Sequence, residues 1–145
     1  MAESVSGEHA SLDGVAVHVV AGALFEGSQV LIAQRPPGKH LAGGWEFPGG
    51  KVATGEEPYA ALVRELREEL NIEVDAAQRV IAYAHNYGDR TILLDLWYVT
   101  RYRGTPVSGE GQPIRWVDLD HLDKVGLLAA DAPMIEPLRR AFHGA

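Results

Sequence analysis

One 13-residue stretch, Pro58 to Leu70, carries apolar side chains at helical spacing between β-rich runs. Tyr59, Leu62, Val63, Leu66 and Leu70 fall on one stripe of a 3.6-residue helix. Pro58 suits the first turn, where no N–H is needed. A helix of this kind interleaved with strands indicates an α/β domain rather than a bundle or a β-sandwich.

The strands are read from Val-rich, Ile-rich and aromatic runs bounded by turn residues. GVAVHVVAGALF (14–25) is the first, and VLIAQ (30–34) is expected as its hairpin partner. WEFPGGK (45–51) gives a short strand and a Gly-Gly turn. RVIAYAH (79–85) and TILLDLWYVTRY (91–102) flank NYGD as a hairpin, and IRWVD (114–118) is a last strand. DLDHLDKV and APMIEPLRRAF are expected as helices, the second with Met134, Ile135, Leu138 and Phe142 on one side. RPPGKHLAGG (35–44) clusters Pro and Gly with two cations and a histidine, the kind of loop that carries binding groups. Residues 1–13 read as a flexible polar leader and 14–145 as one domain without repeats.

Composition narrows the chemistry. Twenty acids against thirteen bases leave a formal charge of -7, which argues against stable nucleic-acid binding through a basic face. A polyanionic substrate would need metal ions. The absence of cysteine excludes disulfides, thiolate-ligated zinc, iron–sulfur clusters and thiol nucleophiles. The leader lacks the features of a signal peptide, and the run Val15–Phe25 is about half a membrane span, so a cytoplasmic location without membrane attachment is expected. The chain is expected to be a monomer or a homodimer.

Three acids on the helix, Glu65, Glu68 and Glu69, sit at i, i+3 and i+4, within one arc of roughly 100° directed away from the leucine stripe. Like charges at these spacings cost a few tenths of a kcal/mol per pair unless compensated. Oxygen ligands of this type select Mg²⁺ or Mn²⁺, which fill their remaining positions with water and substrate phosphate. Spacing alone fits a solvated helix face at least as well, with Arg64 and Arg67 as partners.

The wider context is more specific. GGKVATGEEPYAALVRELREELNI runs from Gly50 through Glu56 to Arg64-Glu65-Leu66, Arg67 and Glu68-Glu69, and it resembles the Nudix box. The glycine expected after the paired glutamates is Asn71, which tolerates the left-handed conformation better than most residues. VLIAQRP, HLAGGWEFPGGK, GDRTILLDLWYV, GEGQPIRWVDL and LLAADAPMIEPL extend the resemblance to MutT-type nucleoside triphosphate pyrophosphohydrolases over nearly the whole chain after the leader.

That resemblance implies the Nudix fold, an α/β/α sandwich with a mixed β-sheet. It implies Mg²⁺, replaceable by Mn²⁺, held by Glu65, Glu68, Glu69, Glu110 and the Gly50 carbonyl. Glu65 or Glu110 would deprotonate water, and Glu56 with Arg64 would brace the loop against the helix. Arg35 and His40 match positions that contact phosphate or sugar. The base would lie near Val19, Val20, the Phe47 backbone, Arg90 and Asp131. The implied reaction is in-line attack of water at the β-phosphorus, releasing nucleoside monophosphate and pyrophosphate.

Asp131 bears on the choice of base, because the MutT pattern has asparagine there. An ionised aspartate only accepts hydrogen bonds, which suits the N4 amino group of cytosine in CTP or 5-methyl-dCTP. Guanine remains open through its N1–H and N2 donors, through Arg90 at O6, or through a protonated Asp131. Asp131 could instead N-cap the last helix. The leading expectation is an oxidised purine triphosphate such as 8-oxo-dGTP, with cytidine nucleotides as runner-up. A catalytically silent nucleotide-sensing module and a hydrolase of dinucleoside polyphosphates or nucleotide sugars are further alternatives. No G-x-S-x-G elbow or P-loop lysine motif occurs.

Overall fold

The computed structural model describes residues 15–144, so the leader expected over 1–13 lies outside the described residues. Strand β1 (Val15–Ala23) runs parallel to β7 (Thr91–Arg103) and antiparallel to β5 (Gly49–Lys51), while β6 (Glu73–Asn86) pairs antiparallel with β7. The order β5-β1-β7-β6 is therefore a mixed sheet. A smaller antiparallel sheet holds β2 (Phe25–Glu26), β3 (Gln29–Gln34), β4 (Trp45–Glu46) and β8 (Ile114–Asp118), with β3 at its centre.

Helices α1 (Pro58–Leu70) and α2 (Ile135–Gly144) cover opposite faces of the mixed sheet, giving the expected α/β/α sandwich. Period-two alternation divides the strands between the two faces. Val20, Trp97 and Val99 pack with α1, whereas Ala21, Ile92, Leu94 and Leu96 pack on the side of Met134, Ile135 and Leu138. Leu62, Leu66 and Leu70 are fully buried under α1, and each contributes about 1.5–3 kcal/mol. Leu66→Ala is expected to cost about 3 kcal/mol, read as a lower denaturation midpoint with an unchanged m-value.

Both ends of α1 follow from their residues. Pro58 occupies the first turn, and Asn71 adopts φ 58°, ψ 40° with its N–H donated to the Arg67 carbonyl. The asparagine in place of the usual glycine thus supplies the left-handed cap that stops the helix. No helix among the described residues is long and apolar enough to cross a membrane.

Several expectations need correction. VLIAQ is not the hairpin partner of β1. The chain leaves the mixed sheet at Leu24, and β3 pairs with β2, β4 and β8 in the other sheet. WEFPGGK does give a short strand, Trp45–Glu46, but the Gly-Gly pair is not a turn: it opens a second strand, because Phe47-Pro48 carries the chain from the small sheet to the mixed one. DLDHLDKV forms a 3₁₀ helix over Leu119–Lys124. APMIEPLRRAF begins with a 3₁₀ turn at Ala132–Met134 before α2. The β6 strand starts at Glu73, six residues before the expected run, with irregularities near Asp75 and Val80.

Candidate active site

Residues of both sheets line a cavity of about 350 Å³. Its walls come from β1 (Val19–Ala21), the start of the loop after β3, the β4–β5 corner, α1, and the segments carrying Glu110 and Asp131. Glycine makes the corner possible. A Cβ at Gly49 would run into the Val20 carbonyl, and one at Gly50 would run into the Glu65 carboxylate. The Gly-Gly pair therefore lets β5 approach β1 and lets α1 place Glu65 directly against the β5 backbone.

At this end of the cavity Glu65, Glu69, Glu110 and Gly50 are brought together. Glu69 accepts a hydrogen bond from the Gly49 N–H at 3.1 Å. Burial, followed by the charges of Glu110 and Glu46, pushes its carboxyl up to about 8. Burial also raises Glu65, opposed by the Arg64 guanidinium beside it and assisted by Glu68 and Glu110. Glu68 does not line the cavity; it lies on the outer side of α1, 53% exposed, and accepts from Arg64 at 3.3 Å.

Glu56 and Arg64 form the expected brace. Arg64 donates Nε and Nη2 to the two Glu56 oxygens at 2.9 Å each, Nη1 to Glu65 at 2.8 Å, and Nη2 to the Lys51 carbonyl at 3.0 Å. Glu56 also takes the Ala53 N–H at 3.0 Å. The Arg64 hydrogen bonds hold the Glu56 carboxyl down at about 2, so the pair stays ionised over the working pH range. The arginine thereby joins loop, strand and helix.

The opposite end of the cavity is different in character. Val19, Ala21, Ile92, Leu94 and Met134 supply an apolar wall. Asp131 is 6% exposed, and its Oδ2 accepts from the Phe47 N–H at 3.0 Å. Burial pushes this carboxyl up to about 7 against the pull of that hydrogen bond. Asp131 has helical backbone angles and makes no side-chain capping bond, so the N-cap alternative is overturned. The reason is reach: the carboxylate turns across to the β4–β5 corner instead of back to its own turn. Its segment is held by the Tyr83 hydroxyl, which donates to the Ala130 carbonyl.

Arg35, His40 and Arg90 all reach the cavity. Arg35 donates to the His40 carbonyl at 2.7 Å and to both Glu46 oxygens at 3.3 Å. His40 meets Tyr87 edge-on, with ring centroids 5.8 Å apart, and Tyr87 also contacts His85 at 4.7 Å. Sequence reasoning missed Glu46 and Tyr87. Burial raises the Glu46 carboxyl despite Arg35, and the signal was an acid set between two aromatics, Trp45 and Phe47. Tyr87 was hidden inside the turn NYGD.

The donor set fits a hard divalent cation: it is all oxygen, partly desolvated, and carries excess negative charge that raises its own pKa values. Among the described residues no three acidic or histidine side chains are already gathered as a metal-ready group. Arg64 holds Glu65 and Glu68, and the Gly49 N–H holds Glu69, so mutual repulsion is met by these partners instead.

Known proteins share both sequence and fold with this chain. It is 38% identical over 120 residues to a CTP pyrophosphohydrolase of Escherichia coli, covering 83% of this chain and 89% of that one. It is 37% identical over 115 residues to the 8-oxo-dGTP diphosphatase of Escherichia coli, covering 79% and 89%. A MutT structure from work on the Aliivibrio salmonicida and Vibrio cholerae proteins superimposes with a TM-score of 0.73 at 36% identity, covering 83% of this chain and 94% of that one. The NUDIX domain matches residues 20–137, and the chain belongs to that family.

Proposed function

We propose that this Nudix enzyme is a Mg²⁺-dependent nucleoside triphosphate pyrophosphohydrolase acting on oxidised purine nucleotides such as 8-oxo-dGTP, in sanitation of the nucleotide pool. The observation that carries the reading is the polarity of one cavity. Carboxylates and the Gly50 backbone meet at one end, and an apolar wall with the Phe47–Asp131 pair stands at the other. Such a cleft matches a molecule that is polyanionic at one end and a flat heterocycle at the other. Relatives at similar identity act, by their names, on CTP or on 8-oxo-dGTP.

Glu65, Glu68, Glu69, Glu110 and the Gly50 carbonyl would hold the Mg²⁺, with Mn²⁺ as a substitute. The ion supplies charge neutralisation on the phosphates and a more acidic water. Glu65 accepts the proton of the attacking water, its basicity raised by burial, and Glu110 is the second candidate for that task. The water oxygen bonds to the β-phosphorus as the α–β bridging oxygen leaves, so nucleoside monophosphate and pyrophosphate are the products. Arg35 and His40 bind phosphate or sugar, Arg90 borders the base, and Arg64 with Glu56 keeps the helix acids in register with the loop.

The cytidine alternative rests on a specific observation: Asp131 Oδ2 is engaged by Phe47, which leaves Oδ1 as an acceptor for an exocyclic amino group. The experiment is kcat/KM with Mg²⁺ for 8-oxo-dGTP, dGTP, CTP, 5-methyl-dCTP and an adenine dinucleotide, with pyrophosphate and monophosphate assayed separately. Preference for 8-oxo-dGTP supports the proposal, and preference for cytidine nucleotides replaces its substrate while keeping the reaction. Tight binding without turnover would indicate a nucleotide sensor. Glu68→Gln is expected to lower kcat/KM at least about tenfold, and an unchanged value removes Glu68 from the metal set.

A further inference from the structure

Gln112 is a buried polar residue that none of these assignments uses. It is 8% exposed and lines the cavity two residues beyond Glu110, whose charge acts on both Glu65 and Glu69. Its Oε1 accepts from the Ser108 hydroxyl at 2.9 Å, while its Nε2 bonds to none of the described residues and is not among the fully buried atoms, so it keeps access to solvent. The backbone around it is pinned on both sides. Val107 and Gly109 N–H groups donate to the Leu70 and Glu69 carbonyls of the last turn of α1, at 3.0 and 2.8 Å, and the Pro113 carbonyl accepts from the Gln34 N–H at 3.0 Å.

We propose that Gln112 is a substrate-contacting residue that donates its carboxamide N–H to the phosphate chain, and that Ser108 is the positioning residue that turns that end of the amide into the cavity. An amide fixed at its oxygen keeps its N–H donors in contact with water, and a phosphate oxygen entering the cavity replaces that water with a direct hydrogen bond. The residue type matters as well. A lysine or arginine here would pair with Glu46, Glu65, Glu69 or Glu110 and compete with a bound cation, whereas a neutral donor can serve phosphate without neutralising the acids. Placement beside Glu110 assigns Gln112 to the phosphate end, away from Asp131. This inference rests on the pyrophosphohydrolase reading above.

The test is calorimetric binding of inorganic pyrophosphate in the presence of Mg²⁺, alongside binding of a nucleoside monophosphate, with turnover measured in parallel. Gln112→Leu is expected to weaken pyrophosphate about 10- to 100-fold while the monophosphate stays within about twofold. Ser108→Ala is expected to reproduce part of that loss with Gln112 still present, and Ser108→Thr, which keeps the hydroxyl, to restore it. The serine pair keeps the test decisive if Gln112→Leu is poorly folded. If Glu110→Gln abolishes turnover while Gln112→Leu and Ser108→Ala bind pyrophosphate like the wild type, the inference alone is overturned. If Glu110→Gln has no effect, or the wild type does not bind pyrophosphate, the assignment of the phosphate end falls and the role of Gln112 falls with it.

Discussion

Replacing Glu69 by Gln is expected to lower kcat/KM by about 10³-fold while making the metal-free protein more stable at alkaline pH. Activity falls because an amide oxygen is a far poorer partner for a hard cation than a carboxylate. Stability rises for a separate reason. The Glu69 carboxyl, with an ordinary value of 4.5, is pushed up to about 8 by burial and by Glu110 and Glu46. Between those values the folded chain binds more protons than the unfolded one, so stability falls as pH climbs from about 4.5 to about 8. Glutamine removes that loss and still accepts the Gly49 N–H. The gain is expected to be on the order of 3 kcal/mol at pH 9 and near zero at pH 4, measured by denaturation in EDTA. A variant that is inactive but no more stable at pH 9 would place Glu69 outside the repelling carboxylate group.

Asp131→Asn is expected to change which base is preferred. Asparagine keeps an acceptor for the Phe47 N–H and adds a permanent N–H₂ donor, so it suits a carbonyl such as O6 and opposes the N4 amino group of cytosine. Turnover of cytidine nucleotides should fall about 10²-fold relative to 8-oxo-dGTP. Burial pushes the wild-type carboxyl up to about 7, so the wild type should itself favour cytidine nucleotides increasingly as pH rises from 6 to 8.5. The substitution should abolish that trend. Stability runs the opposite way, declining in the wild type as pH rises between about 3.8 and about 7, where the folded state holds the proton that the unfolded state has lost. An unchanged substrate ratio at every pH would remove Asp131 from base recognition.

Local signals were legible because local physics produced them. The α1 stripe, its proline start and its Asn71 stop are contained in consecutive residues, and Leu62, Leu66 and Leu70 are buried as the period requires, while Tyr59 at the start of the stripe stays exposed. β7 and the second half of β6 were legible for the same reason, since their hairpin closes over a few residues. Errors appeared where long-range pairing competed with local pattern. VLIAQ is a continuous apolar run that follows the first strand as closely as any hairpin partner would, but β1 instead recruits β5 and β7, at separations only the closed sheet makes favourable. The 3₁₀ character of DLDHLDKV is likewise invisible to a helix pattern of that length.

The residues by themselves placed Glu65, Glu68 and Glu69 on one arc of α1, away from its leucine stripe, and the box motif around them carried the resemblance that implies the Nudix family and its α/β/α sandwich. Tertiary structure alone decided which acids share a cavity: Glu65 and Glu69 face it with Glu110, while Glu68 stays outside. It also decided that Asp131 reaches Phe47 rather than capping its own turn. Periodicity places a side chain on a face of its element. Burial, and so the pKa shifts at this site, depends on which distant segments cover that face.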